Sequence, residues 1–418
     1  MDDRKMSLTR REIIAGAAAT GFALTQHTNA LAAVDDVSKI QSKISQKSVA
    51  WLKSKGWWPF QVHINPTWSD GNLVVAVMKE NKLLEKRGIE TNYQSFTAAS
   101  YVNAAYIPGH LQVAQAGELG LYAVMGLEVP TVAVVVYPAQ LQGFMVPPNS
   151  PLKSLSDLRD QKVLKRPAVY GVTIGSTPQL GWQIASTTLG LTQDKDYKIA
   201  NLSPADIITM PAGIDVAGIW EPLVSQMTLI NKNARVLEPT GRYEFFSGYS
   251  YIRGEIAESA PDVIQAYVDA FVEAQLWADK NQSEALAMLI KQPLASAQNP
   301  KLLKQQANLY NFWPKPTKNY PFKDTHGFWT GVLEYQSSVA HQYGFLKQQL
   351  TSADFEKTLR PDFMADTYKR LGWAVPAWPM YVPKSWSGVV GKPPYPAYLW
   401  NGIELSGPEP FPTKSDLV

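Results

Sequence analysis

The stretch Pro130-Thr131-Val132-Ala133-Val134-Val135-Val136-Tyr137-Pro138 decides the fold class. It is an almost continuous apolar run, rich in valine and bounded by prolines. A run of that kind reads as a strand buried on both faces, inside an α/β sheet. Working back towards the N-terminus, the sequence alternates between strand and helix patterns. Phe60-Gln61-Val62-His63-Ile64 alternates and stops at Asn65-Pro66, a turn signal. Residues 71–87 carry Leu73, Val74, Val77, Met78, Leu83 and Leu84 at helical spacing, and Gly88 closes them as a C-cap would. A strand over 89–96, a short helix over 98–107 closed by Pro108-Gly109, a strand over 111–116 and a helix over 119–125 complete the series. Strands alternating with helices predict a parallel, doubly wound sheet.

Working forward, a second α/β unit begins near residue 150. Ser154-Leu155-Ser156-Asp157-Leu158 caps a short helix. Strands follow over 168–174, 197–202 and 214–219, with helices over 178–191 and 205–210. Residues 234–238 then lead to Tyr249-Ser250-Tyr251-Ile252, a segment expected to rejoin the first unit. The predicted organisation is a first lobe over 34–140, a second over 141–240, and a return to the first lobe with packing helices over 241–372. The last stretch, 373–418, is rich in Pro, Gly, Trp and Tyr, with Trp373, Trp378, Trp386 and Trp400 among the prolines. It reads as an extended arm whose aromatics pack on the body of the protein.

The N-terminus reads as an export signal over residues 1–33. Arg10-Arg11 precede an apolar stretch over 13–24, and Ala30-Leu31-Ala32-Ala33 offers a small-residue cleavage site near Ala32 or Ala33. That apolar stretch is too short for a hydrocarbon core of roughly 30 Å. The paired arginines resemble a twin-arginine (Tat) signal, which exports folded protein. The expected product is a soluble periplasmic protein.

Composition removes several function classes. The chain of 418 residues has a formal net charge of +3 and no Lys/Arg stripe, so nothing points to nucleic acid. The absence of cysteine excludes disulfides, thiolate metal sites, a cysteine nucleophile and a lipidated N-terminal cysteine. Five histidines without metal-ligand spacing give no metal site. The sequence has no G-x-S-x-G, no P-loop, no glycine-rich dinucleotide loop and no carboxylate pair placed around a scissile bond, so an enzyme is not expected.

An ordered series of segments carries a resemblance. It comprises residues 109–118 (GHLQVAQAGE), 154–163 (SLSDLRDQKV), Gly175-Ser176-Thr177, Leu189-Gly190-Leu191, 213–217 followed by Trp220-Glu221-Pro222, and Ala260-Pro261-Asp262-Val263 opening a long helix. Over residues 58–350 the chain resembles the nitrate/sulfonate/taurine-type periplasmic substrate-binding proteins of ABC transporters, a group that includes pyrimidine-precursor binders. It departs from their pattern at Gln112, where they often have Asp, at Asp160, where they have Gly, and in its aromatic tail. The resemblance implies a type II periplasmic-binding-protein fold: two doubly wound lobes around a hinged cleft. It also implies a monomeric, cofactor-free carrier that binds a small solute and hands it to an ABC permease in the inner membrane. A periplasmic sensor or scaffold, a pyrimidine-precursor binder and an enzyme on the same fold are the alternatives left open.

In such folds the ligand lies at the carboxyl ends of strands, where loops become helices. The candidate ligand residues are therefore Trp68, Ser69 and Asp70 after the first strand, Ala99 and Ser100 after the second, and Gly117 and Glu118 after the third. The second lobe contributes Gly175, Ser176 and Thr177, then Trp220 and Glu221. Glycine lets the backbone approach a ligand, hydroxyls donate, and unpaired N–H groups at a helix start favour an anion. Trp68 and Trp220 could clamp an apolar ligand body. Asp70, Glu118 and Glu221 would favour an amine if they face the ligand; otherwise they cap helices. Arg242 and Arg253, near the return crossing, could neutralise them or reach an anion. The solute classes consistent with this set are sulfonates, sulfate esters, taurine-like zwitterions and aromatic carboxylates.

Overall fold

The computed structural model describes residues 37–64, 69–138, 142–293, 299–309, 319–323, 328–376 and 393–394. The export signal, Trp68 and nearly all of the aromatic tail lie outside these residues, as do the side chains of Ser69 and Asp70.

Ten strands form two five-stranded sheets. The first holds β1 (Phe60–Ile64), β2 (Thr91–Ser95), β3 (Val113–Gly117), β4 (Thr131–Pro138) and β10 (Ser247–Arg253), in the order β2-β1-β3-β10-β4. The second holds β5 (Gln142–Val146), β6 (Ala168–Val172), β7 (Tyr197–Asn201), β8 (Val216–Trp220) and β9 (Arg235–Pro239), in the order β7-β6-β8-β5-β9. The chain crosses from one sheet to the other between β4 and β5 and returns between β9 and β10. The helices that position the cleft are α1 (Ser69–Glu80), α2 (Ala99–Tyr106), α3 (Glu118–Gly126), α4 (Thr177–Leu189), α5 (Pro261–Lys280), α6 (Phe328–Gln342) and α7 (Asp362–Leu371).

The sheets are mixed, which corrects the expectation of purely parallel ones. β1 pairs in parallel with β2 and β3, and β6 with β7 and β8. β10 runs antiparallel to β3 and β4, and β5 antiparallel to β8 and β9. The reason is topological. β5 and β10 each begin at a crossing, at the cleft edge, so they run away from the cleft while their neighbours run towards it. A second correction concerns residues 71–87, where two helices stand in place of one. Lys82 takes a left-handed φ of 52° between α1 and a short helix, Leu83–Lys86. The apolar spacing persists across the break because both pieces face the same core, with Val74, Met78 and Leu84 fully buried.

The run at Thr131–Pro138 is the buried strand its sequence announces: Val132, Val134 and Val135 face the core beneath α5, and Ala133 and Val136 face the opposite core. Burial on both faces is what removes the usual polar alternation. In the second lobe, Trp182 of α4 stacks on Tyr170 with ring centroids 3.8 Å apart and meets Phe144 and Tyr197 edge-on. Part of the aromatic richness is therefore core. At the end of the described chain, Trp373 packs against Tyr368 with centroids 5.3 Å apart.

Candidate ligand-binding cleft

The carboxyl edges of the two sheets meet at one cavity of about 40 Å3. The first lobe lines it with Thr97, Ala98 and Ala99 at the start of α2, and with Ala116 and Gly117 at the end of β3. The second lobe supplies Ser176 and Thr177 at the start of α4, and Trp220 at the end of β8. Gln142 and Phe246 come from the two crossings.

Three helices start at this cavity, and none is capped by the side chain of its N-cap residue. The N-cap of α2 is Ala98 and that of α3 is Gly117, neither of which has a capping group. The N-cap of α4 is Ser176, whose hydroxyl donates instead to the Thr173 carbonyl at 2.6 Å. Each start carries the partial positive charge of its helix dipole, and at α3 the carboxyl of Glu118 itself meets a backbone N–H. Among the described residues, the lining includes no Lys, Arg or His. Its polar groups are helix-start backbone, hydroxyls and one amide.

That amide belongs to Gln142, which is 2% exposed. Its Oε1 has no hydrogen-bond partner among the described residues, although it is buried. An unsatisfied buried acceptor costs roughly 1–3 kcal/mol, and a ligand N–H or O–H would be needed to satisfy this one. Neither Gln142 nor Phe246 was among the residues expected from sequence. The signal for Gln142 was its place just before Gly143-Phe144-Met145-Val146, the first residues of the crossing strand.

The lobes touch through a reciprocal seam. A Cβ added at Gly117 would collide with Oγ1 of Thr177 and come within 3.2 Å of the Phe246 ring. A Cβ added at Gly175 would come within 3.3 Å of Cβ of Ser100. Gly175 also holds a φ of +79°, which an L side chain rarely adopts, and its N–H donates to Gln179 Oε1 at 2.7 Å. Each lobe thus offers a glycine to a hydroxyl-bearing residue of the other.

The structure brings Ala99, Gly117, Ser176, Thr177 and Trp220 to the cavity wall, and sets Ser100 and Gly175 in the seam beside it. It turns the two described carboxylates away. Glu221 is fully buried and caps the turn at Leu223–Ser225, accepting from the Ser225 N–H at 3.0 Å and from its hydroxyl at 2.8 Å. Glu118 is fully buried too; its Oε2 accepts the Ser247 N–H at 3.2 Å. Desolvation raises its pKa above the ordinary carboxyl value. The arginines do not neutralise either acid. Arg242 pairs with Glu238 at 2.9 Å, and Arg253 pairs with Glu255 at 2.6 Å while donating to the carbonyls of Tyr106 and Ile107.

Among the described residues, no helix is long and apolar enough to cross a membrane and no His/Cys/Asp/Glu group could hold a metal ion. No family model matches the chain. By sequence it is 23% identical, over 229 residues, to the putative aliphatic sulfonates-binding protein of Escherichia coli; the match covers 53% of this chain and 68% of that protein. By structure it matches the periplasmic aliphatic sulphonate binding protein SsuA of Escherichia coli with a TM-score of 0.56 at 18% identity, covering 70% of this chain and 91% of that one. The alkanesulfonate-binding protein SsuA of Xanthomonas axonopodis pv. citri, bound to MOPS, matches with a TM-score of 0.56 at 17% identity, covering 72% and 98%. The periplasmic nitrate-binding protein NrtA of Synechocystis matches with a TM-score of 0.62 at 16% identity, covering 76% and 91%. The chain has the periplasmic-binding-protein fold and resembles the sulfonate- and nitrate-binding proteins of ABC import systems.

Proposed function

We propose that the protein is an exported solute-binding component of an ABC importer, and that its solute is a small organic anion with a compact head group, a short-chain alkanesulfonate in the first place. The observation that carries this reading is the cavity itself. Three helix starts whose N-cap residues give no side-chain cap converge on it. Such a cluster of donors accepts the oxygens of a sulfonate without any basic side chain.

Size and lining narrow the choice. A cavity of about 40 Å3 holds on the order of three waters, which matches a head group and a methyl or methylene better than an aromatic ring. Trp220, Phe246 and the alanines suit the apolar part. With Glu118 and Glu221 turned inward, neither of them lines the cavity to meet an ammonium group. The relatives' sulfonate and nitrate ligands agree with an anion, and closure of the two lobes would present the liganded form to the permease.

A thermal-shift series with methanesulfonate, ethanesulfonate, taurine, nitrate and benzoate tests the reading. A solute at about 100 times its dissociation constant stabilises by roughly 2.7 kcal/mol. Methanesulfonate or ethanesulfonate is expected to raise the midpoint most. A rise with benzoate alone, or with none of the sulfonates, would overturn the assignment.

A further inference from the structure

Glu118 and Glu244 form a buried pair of acids that solute recognition by itself does not require. Both are buried, at 0% and 1% exposure, and their carboxyl groups lie in hydrogen-bonding contact with each other. Glu118 opens α3 directly after Gly117, in the first lobe. Glu244 stands on the returning crossing and packs on the second lobe, where its Oε2 occupies the space that a side chain at Gly181 of α4 would fill.

The donor supply is short. Glu118 Oε2 has the Ser247 N–H, and the Thr177 hydroxyl faces the same carboxyl. Glu118 Oε1 and both oxygens of Glu244 have no donor. The other titratable groups facing the pair are the phenols of Tyr122 on α3 and Tyr170 on β6, both themselves held neutral by burial. Among the described residues neither acid has a basic partner. Two bare carboxylates in contact, away from water and cations, repel strongly, whereas a proton between them satisfies two of the orphaned oxygens at once.

We propose that Glu118 and Glu244 share a proton at the seam between the lobes, which makes the closed cleft the proton-bound form of the protein. The link to closure is Thr177. It packs on Gly117 and faces Glu118, so separating the lobes lifts it away and lets water reach the pair. The shared proton also lowers the charge of the pair from two negative charges to one beside the start of α3, where a solute anion would sit. The inference rests on the reading of the cleft as one that opens and closes around a solute.

The sign follows from linkage. Burial raises both acids above their ordinary value of 4.5, so the closed form binds more protons than the open or unfolded forms. Its stability is greatest at low pH and falls as pH rises through the raised values. The experiment uses the solute-free mature protein and its Glu118→Gln and Glu244→Gln variants. Small-angle scattering and thermal unfolding are recorded as pH is raised from the ordinary carboxyl value of 4.5 to the alkaline limit of the folded protein. The wild type is expected to expand and lose midpoint with rising pH, while Glu244→Gln, which puts a fixed amide donor beside Glu118 and removes the like-charge repulsion, stays more compact with a flatter midpoint curve. A wild-type radius constant over the range, or a variant that expands equally, overturns the proposal. Infrared spectra of the wild type decide the matter even where a variant fails to fold. A protonated carboxyl carbonyl band that survives at neutral pH supports the shared proton, and its absence sinks it. A failed solute screen would leave that band and the expansion intact, so loss of the solute-binding reading is distinguishable from loss of this one.

Discussion

Gly117 and Thr177 sit face to face across the seam of the two lobes, with the threonine hydroxyl filling the space a Cβ at position 117 would need. Gly117→Ala should therefore hold the lobes apart without disturbing either core. Solute affinity is expected to fall at least tenfold, about 1.4 kcal/mol, with the unfolding midpoint of the solute-free protein changing little. Adding Thr177→Ala to Gly117→Ala should return part of the loss, because the colliding hydroxyl is gone. Calorimetric titration of the four proteins with methanesulfonate gives the coupling energy directly. Simple additivity would show that the seam does not govern binding.

Gln142 separates binding from folding. Its Oε1 is buried without a partner among the described residues, so Gln142→Leu removes an unsatisfied acceptor and should leave stability equal or higher. The same change also removes the Nε2 donor of that amide from the cavity wall, where no other described lining residue carries an amide side chain, and should weaken solute binding by about 1–2 kcal/mol. Parallel denaturant unfolding and solute titration test both halves. A large loss of stability with unchanged affinity would place Gln142 among the structural residues.

The fold was legible because burial writes itself into sequence. The valine run at 131–136 and the helical spacing around Leu73, Val77 and Met78 are direct records of which side meets a core. The sheet direction was less legible. β5 and β10 have the same composition as parallel strands, and only the points where the chain crosses between lobes set them antiparallel. The candidate cleft was legible to the extent that it is made of strand ends, where Ala99, Gly117, Ser176, Thr177 and Trp220 were expected and where they line the cavity. Glu118 and Glu221 were misleading for a physical reason. A carboxylate just after a strand serves a ligand or a helix start equally well, and only the direction of its side chain distinguishes them. Gln142 and Phe246 stand on crossings, which carry no periodic signal of their own.

Glu221 is accordingly a stability residue. It accepts from both the N–H and the hydroxyl of Ser225, so Glu221→Ala leaves a helix start unsatisfied inside the protein. The expected cost is about 1–3 kcal/mol of unfolding free energy. The dissociation constant for the solute should change less than threefold, about 0.6 kcal/mol, since the side chain does not line the cavity. Urea unfolding and titration of the same sample check this. A tenfold loss of affinity with intact stability would return Glu221 to the ligand set.

His63 gives the fold a second response to pH, opposite in sign to that of the acid pair. Its ring is fully buried in β1, where Nδ1 accepts the Gln115 N–H at 3.2 Å and Nε2 meets the Phe96 carbonyl at 3.3 Å. That pattern fits only a neutral ring, with Nδ1 as acceptor and Nε2–H as donor. Burial lowers its pKa from 6.5 to about 4. The unfolded chain therefore takes up a proton between these values that the folded chain refuses, and folding stability falls as the pH drops through that window. The full loss is on the order of 3 kcal/mol. His63→Leu has no proton to take up. Its stability deficit relative to wild type should be largest at neutral pH and shrink steadily towards about pH 4. Because both proteins retain Glu118 and Glu244, the contribution of the acid pair cancels in the difference. A deficit that stayed constant across the window would mean that His63 titrates alike in the folded and unfolded chains.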